Sequence, residues 1–209
     1  MYKRFQERLA DKKLIAAIKE PKAIEVALKY KNNISAVILM TGNILNIKSY
    51  VQLFHEAGLP VIVHVEKIGG LQLDQYGIDF LSEVVKPFAI VTTKANIIKK
   101  AKQKNMFVIQ RIFLIDTEVY EQLTHTIHRT AADMIEIMPC RAPDFIQKLV
   151  QVTEKPIITG GLLDKIEHAE AALTHGAHAV TTSNKNLWKG TVLQNINNQL
   201  TTSIQQLNN

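Results

Sequence analysis

One cysteine, Cys140, stands in 209 residues. That excludes a disulfide framework and any cysteine-rich zinc site, and it agrees with a reducing cytoplasm. Aromatic residues make up only 6% of the chain, few for a surface that would stack many nucleic-acid bases. No stretch approaches the ~20 uninterrupted apolar residues of a membrane span. The charged start, Met1-Tyr2-Lys3-Arg4-Phe5-Gln6-Glu7-Arg8, leads into no apolar run of the kind a signal peptide carries. The sequence also lacks a P-loop, a Rossmann glycine fingerprint after its first strand and a G-x-S-x-G elbow, so no nucleotide or covalent-hydrolase motif is present. His125 and His128 lie three apart with no third ligand in view, and no metal site is expected. These absences leave a cytoplasmic, soluble protein without a membrane partner or a bound cofactor.

One absence is local. Between Glu83 and Asp116 there is no acidic residue, while Lys86, Lys94, Lys99, Lys100, Lys102, Lys104 and Arg111 fall inside the interval. The chain carries +6 in total, so that segment holds all the excess positive charge. A solvated lysine face accounts for such a run, and so does an anionic partner. A second basic cluster, Lys3, Arg4 and Arg8, is diluted by Glu7 and Asp11.

What is present is a periodic alternation. Short Val- and Ile-rich runs occur at Leu14–Ile18, Ala36–Met40, Pro60–Glu66, Ala89–Thr92, Phe107–Phe113, Asp133–Met138, Pro156–Gly161 and Ala179–Ser183. Continuous apolar runs of this length suit strands buried on both faces. Helical patterns separate them: a stretch after Pro21, then Ile44–Ala57, Lys94–Lys104, Thr117–Arg129, Ala142–Thr153 and Lys165–His175. Parallel strands need crossover helices, so the choice lies between an open doubly wound sheet and a closed (β/α)8 barrel. Eight evenly spaced units favour a single α/β barrel of the TIM type over residues 1–190. Residues 191–209 differ: they are uncharged, and nine of the nineteen are Asn or Gln. Leu193, Ile196, Leu200, Ile204 and Leu207 recur at helical spacing there. An extra C-terminal amphipathic helix is therefore expected, either covering the barrel's outside or joining two copies as a homo-oligomer.

In such a barrel the chemistry gathers at the C-terminal ends of the strands. In the third run Val61, Val63 and Val65 suit the helix side, which turns His64 and Glu66 toward the axis. In the sixth, Ile135 and Ile137 do the same for Glu136. Arg111 is placed to neutralise one of these acids, and Lys94 follows the fourth strand directly. Two buried acids need such partners. Gly160-Gly161 after the seventh strand and Ser183-Asn184 after the eighth mark a phosphate seat, because loops seven and eight commonly hold phosphate with backbone amides and a short helix N-terminus. Ser183 or Asn184 would cap a helix running into Leu187 and Trp188. Cys140 reads as a small packing residue.

Several blocks in order carry a resemblance. They are Val63-His64-Val65-Glu66 with Gly70, Asp74-Gln75-Tyr76-Gly77, Thr92-Thr93-Lys94-Ala95-Asn96, Gln110-Arg111-Ile112-Phe113, Ile135-Glu136-Ile137-Met138-Pro139, Gly160-Gly161-Leu162 and Thr181-Thr182-Ser183-Asn184-Lys185-Asn186-Leu187-Trp188. From about Lys13 to Trp188 the sequence resembles the glycerol uptake operon antiterminator family. It departs from the family's usual pattern at Cys140, where glycine is common, and in Met40-Thr41-Gly42-Asn43, which lacks an acid. The resemblance implies a non-enzymatic regulator that binds glycerol-3-phosphate as an effector and then leader messenger RNA, so that transcription passes a terminator. Its implied ligand set is Gly160, Gly161, Ser183 and Asn184 for the phosphate, with Glu66, Glu136, Arg111, Lys94 and His64 around the rest. Lys99, Lys100, Lys102 and Lys104 are the expected RNA contacts. The rival reading is a phosphosugar-processing enzyme of the same barrel class, an isomerase, aldolase or phosphodiesterase, using the two inward carboxylates for acid–base work.

Overall fold

The computed structural model describes residues 2–190. The tail helix expected over 191–209 lies outside the described residues. Eight parallel strands close into a barrel in sequence order: β1 (Leu14–Ile18), β2 (Ala36–Leu39), β3 (Val61–His64), β4 (Ala89–Thr92), β5 (Phe107–Phe113), β6 (Met134–Met138), β7 (Ile157–Gly160) and β8 (Ala179–Thr182), with β8 pairing back to β1. The eight expected strands are all present. Half of them, β2, β3, β7 and β8, end a residue or two sooner than their apolar runs, and β3 stops at His64 because Val65–Lys67 turns into a single 3-10 turn.

Alternation along each strand builds two cores. Ile15, Ala36, Ile38, Ile62, Ala89, Val91, Ile109 and Ile158 fill the barrel axis, while Leu14, Val37, Val61, Val63, Ile135, Ile137 and Val180 pack outward under the helices. The valines of β3 and isoleucines of β6 take the helix side as expected, and the residues between them turn inward.

Helices α2 (Ala23–Lys29) and α3 (Ile47–Glu56) cross from β1 and β2. After β3 the chain forms α4 (Gln75–Asp79), whose first turn is capped by Asp74 accepting from Gly77 N at 2.9 Å, and runs on as a π-helical stretch, Phe80–Val85. Helices α5 (Ala95–Gln103), α6 (Thr117–Thr126), α7 (Pro143–Gln151) and α8 (Ile166–Thr174) follow in turn, and α9 (Lys185–Trp188) comes after β8. Asn184 caps α9 by accepting from Asn186 N at 3.0 Å, the role expected of it or of Ser183.

Two helical segments went unread in the sequence: the α4 region and α1 (Tyr2–Lys12). Helix α1 lies across the N-terminal end of the barrel. Its Phe5 is wholly buried against Phe88 and Phe107, at ring-centroid distances of 4.5 and 6.1 Å, and Leu9 is buried beside them. Three of the chain's seven phenylalanines are spent on this plug. Arg8 is half-buried and donates to the carbonyls of Lys31, Ile34 and Ser35 at 2.6–3.1 Å. It fastens α1 to the loop before β2 and is not an open basic patch for nucleic acid.

Candidate functional site

At the opposite end the strands open into a cleft of about 490 Å³. Its floor includes Ala17, Met40, His64, Arg111, Met138 and Thr181, and its rim includes Lys19, Lys67, Gly161, Asp164, Ser183 and Asn184. Lys19 and Lys67 outnumber the one carboxylate on its rim, Asp164, so the mouth leans positive even though Glu136 offsets Arg111 on the floor.

Arg111 and Glu136 face each other across the β5–β6 ladder, where they are register partners. Arg111 Nε donates to Glu136 Oε2 at 2.8 Å, and Thr181 Oγ1 donates to Oε1 at 2.8 Å. Glu136 is completely buried and Arg111 nearly so. Carboxylate and guanidinium are tolerable here because each is paired and hydrogen-bonded. Glu136, expected to reach the ligand, is instead spent beneath Arg111, which lines the cleft in its place. Gly160 plays a packing part: a Cβ there would stand 1.9 Å from Thr181 Oγ1, so only glycine lets β8 come close enough for Thr181 to reach Glu136.

Gly161 does lie on the cleft, with φ +74°, and Leu162 follows at φ +55°. The amides of Leu162, Leu163 and Ser183 form no hydrogen bond to another described residue. The loop across from them is held by Thr182 Oγ1, which donates to Leu163 O at 3.1 Å and accepts from Asn184 N at 3.0 Å, and by Asn184 Nδ2, which donates to Asp164 O. Loops seven and eight thus form one braced rim.

On the other side His64 borders the cleft and is almost fully buried, with Nδ1 3.0 Å from Glu66 Oε2, although its alignment is poor for a hydrogen bond. Glu66 does not border the cleft. Its Oε1 accepts from Thr92 Oγ1 and, at 3.0 Å, from Thr93 N, binding the turn after β3 to the turn after β4. Burial alone would raise the Glu66 carboxyl, but His64 and the donors of Thr92 and Thr93 outweigh it and hold the pKa at about 2. Lys94 is exposed at the head of α5, its amide donating to Thr92 Oγ1 at 3.1 Å, and it too stands off the cleft. Burial pushes the Cys140 thiol up to about 11, consistent with a packing residue.

Of the expected ligand set, His64, Arg111, Gly161, Ser183 and Asn184 converge on the cleft, while Glu66, Glu136, Gly160 and Lys94 stand behind or beside it. Sequence reasoning missed Lys19 and Lys67, each shortly after a strand end, and Asp164, whose Oδ1 lies 2.9 Å from His168 Nδ1. Of the four expected RNA lysines, Lys102 is clamped by Asp133 at 2.7 and 2.8 Å, and Lys104 by Asp79 and Glu83 at 2.7 and 3.4 Å. Lys99 and Lys100 carry no ion pair among the described residues. Nor do any three His, Cys, Asp or Glu side chains among the described residues gather closely enough to hold a metal ion.

A closed eight-stranded parallel barrel with alternating helices and a cleft at its C-terminal mouth defines the class: a (β/α)8 barrel of the TIM type. Within that class the chain belongs to the glycerol-3-phosphate responsive antiterminator family, whose sequence model matches residues 14–188. It is similar to the glycerol uptake operon antiterminator regulatory protein of Listeria monocytogenes, at 35% identity and a TM-score of 0.78 over 85% of this chain and 95% of that one. A glycerol uptake operon antiterminator-related protein from Thermotoga maritima aligns at 25% identity and a TM-score of 0.75, covering 86% and 99%. The uncharacterized protein YgcP of Escherichia coli K12 is 29% identical over 175 residues, 84% of this chain and 91% of its own length.

Proposed function

We propose that the cleft binds glycerol-3-phosphate as an effector and that the occupied barrel binds leader RNA of glycerol-utilisation genes, letting transcription pass a terminator in the cytoplasm. The observation that carries this reading is the pairing of a braced amide rim at residues 161–163 and 183 with the cations Lys19, Lys67 and Arg111 in one cleft. The phosphate sits against the rim, on the backbone amides of Leu162, Leu163 and Ser183, which no other described residue engages. The glycerol hydroxyls reach Arg111 and His64. Family membership and the two antiterminator relatives support the transcriptional role. Both carboxylates that an acid–base enzyme would use are engaged elsewhere, Glu136 by Arg111 and Thr181 and Glu66 by Thr92 and Thr93, which favours an effector site over a catalytic one.

RNA affinity comes from lysine–phosphate contacts on α5, now resting on Lys99 and Lys100, and falls steeply with salt. Linkage requires RNA to tighten glycerol-3-phosphate binding by the same factor as the ligand tightens RNA binding. Titrating labelled leader RNA with and without glycerol-3-phosphate, at two salt concentrations, tests the proposal. RNA binding that ignores the ligand, or no RNA binding, overturns it, and turnover of a phosphosugar would move the protein to the enzyme class. Gly161→Val, placed at φ +74°, should abolish calorimetric binding of glycerol-3-phosphate while the thermal transition stays cooperative.

A further inference from the structure

The cleft offers many donors. Lys19, Lys67, Arg111 and the amides of Leu162, Leu163 and Ser183 all give hydrogen bonds. A donor serves a hydroxyl, a carbonyl or a phosphate oxygen alike, so none of these groups tells an alcohol from a ketone. Recognising a hydroxyl by its proton takes an acceptor. Most acceptors among the cleft's side chains are engaged: Asn184 Oδ1 by Asn186 N, Thr181 Oγ1 by Glu136, and Thr182 Oγ1 by Leu163 O and Asn184 N. Asp164 stands in solvent at the rim with Oδ1 against His168.

His64 supplies an acceptor on the floor. Its Nδ1 is sealed from solvent 3.0 Å from Glu66 Oε2, itself sealed, and neither atom has another partner among the described residues. Two buried polar atoms so placed are tolerable when a proton lies between them. Glu66 is ionised, its pKa held at about 2, and a carboxylate only accepts. The proton is therefore on Nδ1. The contact is poorly aligned, as such contacts often are until a ligand arrives. In the neutral ring Nε2 is then a bare acceptor. It makes no hydrogen bond to a described residue and, unlike Nδ1, keeps solvent access, which opens on the cleft that His64 borders.

We propose that His64 sets the specificity of the cleft: its Nε2 accepts from the C2 hydroxyl of glycerol-3-phosphate, so the cleft takes the secondary alcohol and turns away the corresponding ketone, dihydroxyacetone phosphate. Glu66, behind the ring, is the positioning residue that keeps the proton on Nδ1. The proposal rests on the effector reading above and adds to it the oxidation state to which the cleft answers. With the phosphate on the rim, the carbon chain extends over the floor. The ketone would there set its carbonyl oxygen against the imidazole lone pair with no proton between them, leaving a buried acceptor unpaired.

The test is calorimetric titration of the full chain with glycerol-3-phosphate and, separately, with dihydroxyacetone phosphate. The wild type should bind the alcohol at least about tenfold more tightly than the ketone. Glu66→Gln keeps an oxygen for Thr92 and Thr93 but turns an amide N–H toward Nδ1, which moves the ring proton to Nε2. It should level the preference or reverse it. His64→Gln, whose amide can present either end to the ligand, should level it too. Nitrogen-15 spectra, with the His64 ring assigned by its loss in His64→Gln, should show Nδ1–H in the wild type and Nε2–H in Glu66→Gln, a change that a merely structural Glu66 would not produce. Equal affinities in the wild type, a wild-type ring protonated at Nε2, or a cooperatively melting Glu66→Gln variant that keeps the preference overturns the role of His64 and leaves the effector reading intact. Failure of the wild type to bind glycerol-3-phosphate at all overturns the effector reading, and this proposal with it.

Discussion

The two ends of this barrel are finished by the same strands and treated in opposite ways. At the N-terminal end Phe5 and Leu9 of α1 close over Phe88 and Phe107, and the half-buried Arg8 is spent on three backbone carbonyls. Toward the C-terminal end the strands bury His64, Arg111, Glu136 and Thr181, and Lys19 and Lys67 stand at the rim. The plugged end supplies stability through apolar burial and asks nothing of solvent. The open end keeps charge inside the fold by pairing it, so that Glu136 makes Arg111 affordable and Arg111 is left on the cleft floor. Stability and binding are thus largely separable along the barrel axis, with the Arg111–Glu136 pair as the place where they meet.

That division can be broken most severely at the meeting point. Glu136→Leu strands a buried guanidinium and should cost about 3–5 kcal/mol in urea unfolding, with glycerol-3-phosphate binding lost in the same variant. Phe5→Ala should cost a similar ~3–5 kcal/mol by emptying the plug, yet leave calorimetric ligand affinity unchanged. If ligand affinity falls with it, the two ends are coupled and the separation is wrong. Arg8→Ala should cost about 1–2 kcal/mol, mainly through the part-buried carbonyls of Ile34 and Ser35, again without effect on the ligand. Acid sharpens the contrast on the open side. The Glu66 carboxyl sits at about 2 against an ordinary 4.5. Its stabilisation is therefore complete above about 4.5 and drains away as pH falls toward 2. Glu66→Gln should be less sensitive than wild type to acid in that window, followed by circular dichroism across pH. Smallest of all, Lys67→Ala should change stability by no more than ~0.5 kcal/mol while weakening the ligand severalfold, the more so at low salt.

The fold was largely legible because strands buried on both faces write themselves as Val- and Ile-rich runs, and eight of them admit few closures. Helix α1 was hidden because it needs only two apolar residues, Phe5 and Leu9, one turn apart among charges. The cleft was half legible. Residues fixed by strand alternation, such as His64 and Arg111, could be aimed from sequence. Lys19 and Lys67 could not, since the path of a loop decides where its lysine ends up. Counting charge along the chain misled at Lys102 and Lys104, whose acids Asp133, Asp79 and Glu83 arrive from other elements.

The seal at the base of the barrel has a consequence for biosynthesis. Helix α1 leaves the ribosome ahead of every strand it will cap, and the two phenylalanines it must meet, Phe88 and Phe107, emerge some eighty and a hundred residues later. Its greasy stripe stays without a home until both have emerged, so a segment made ahead of all eight strands is among the last of the barrel to dock.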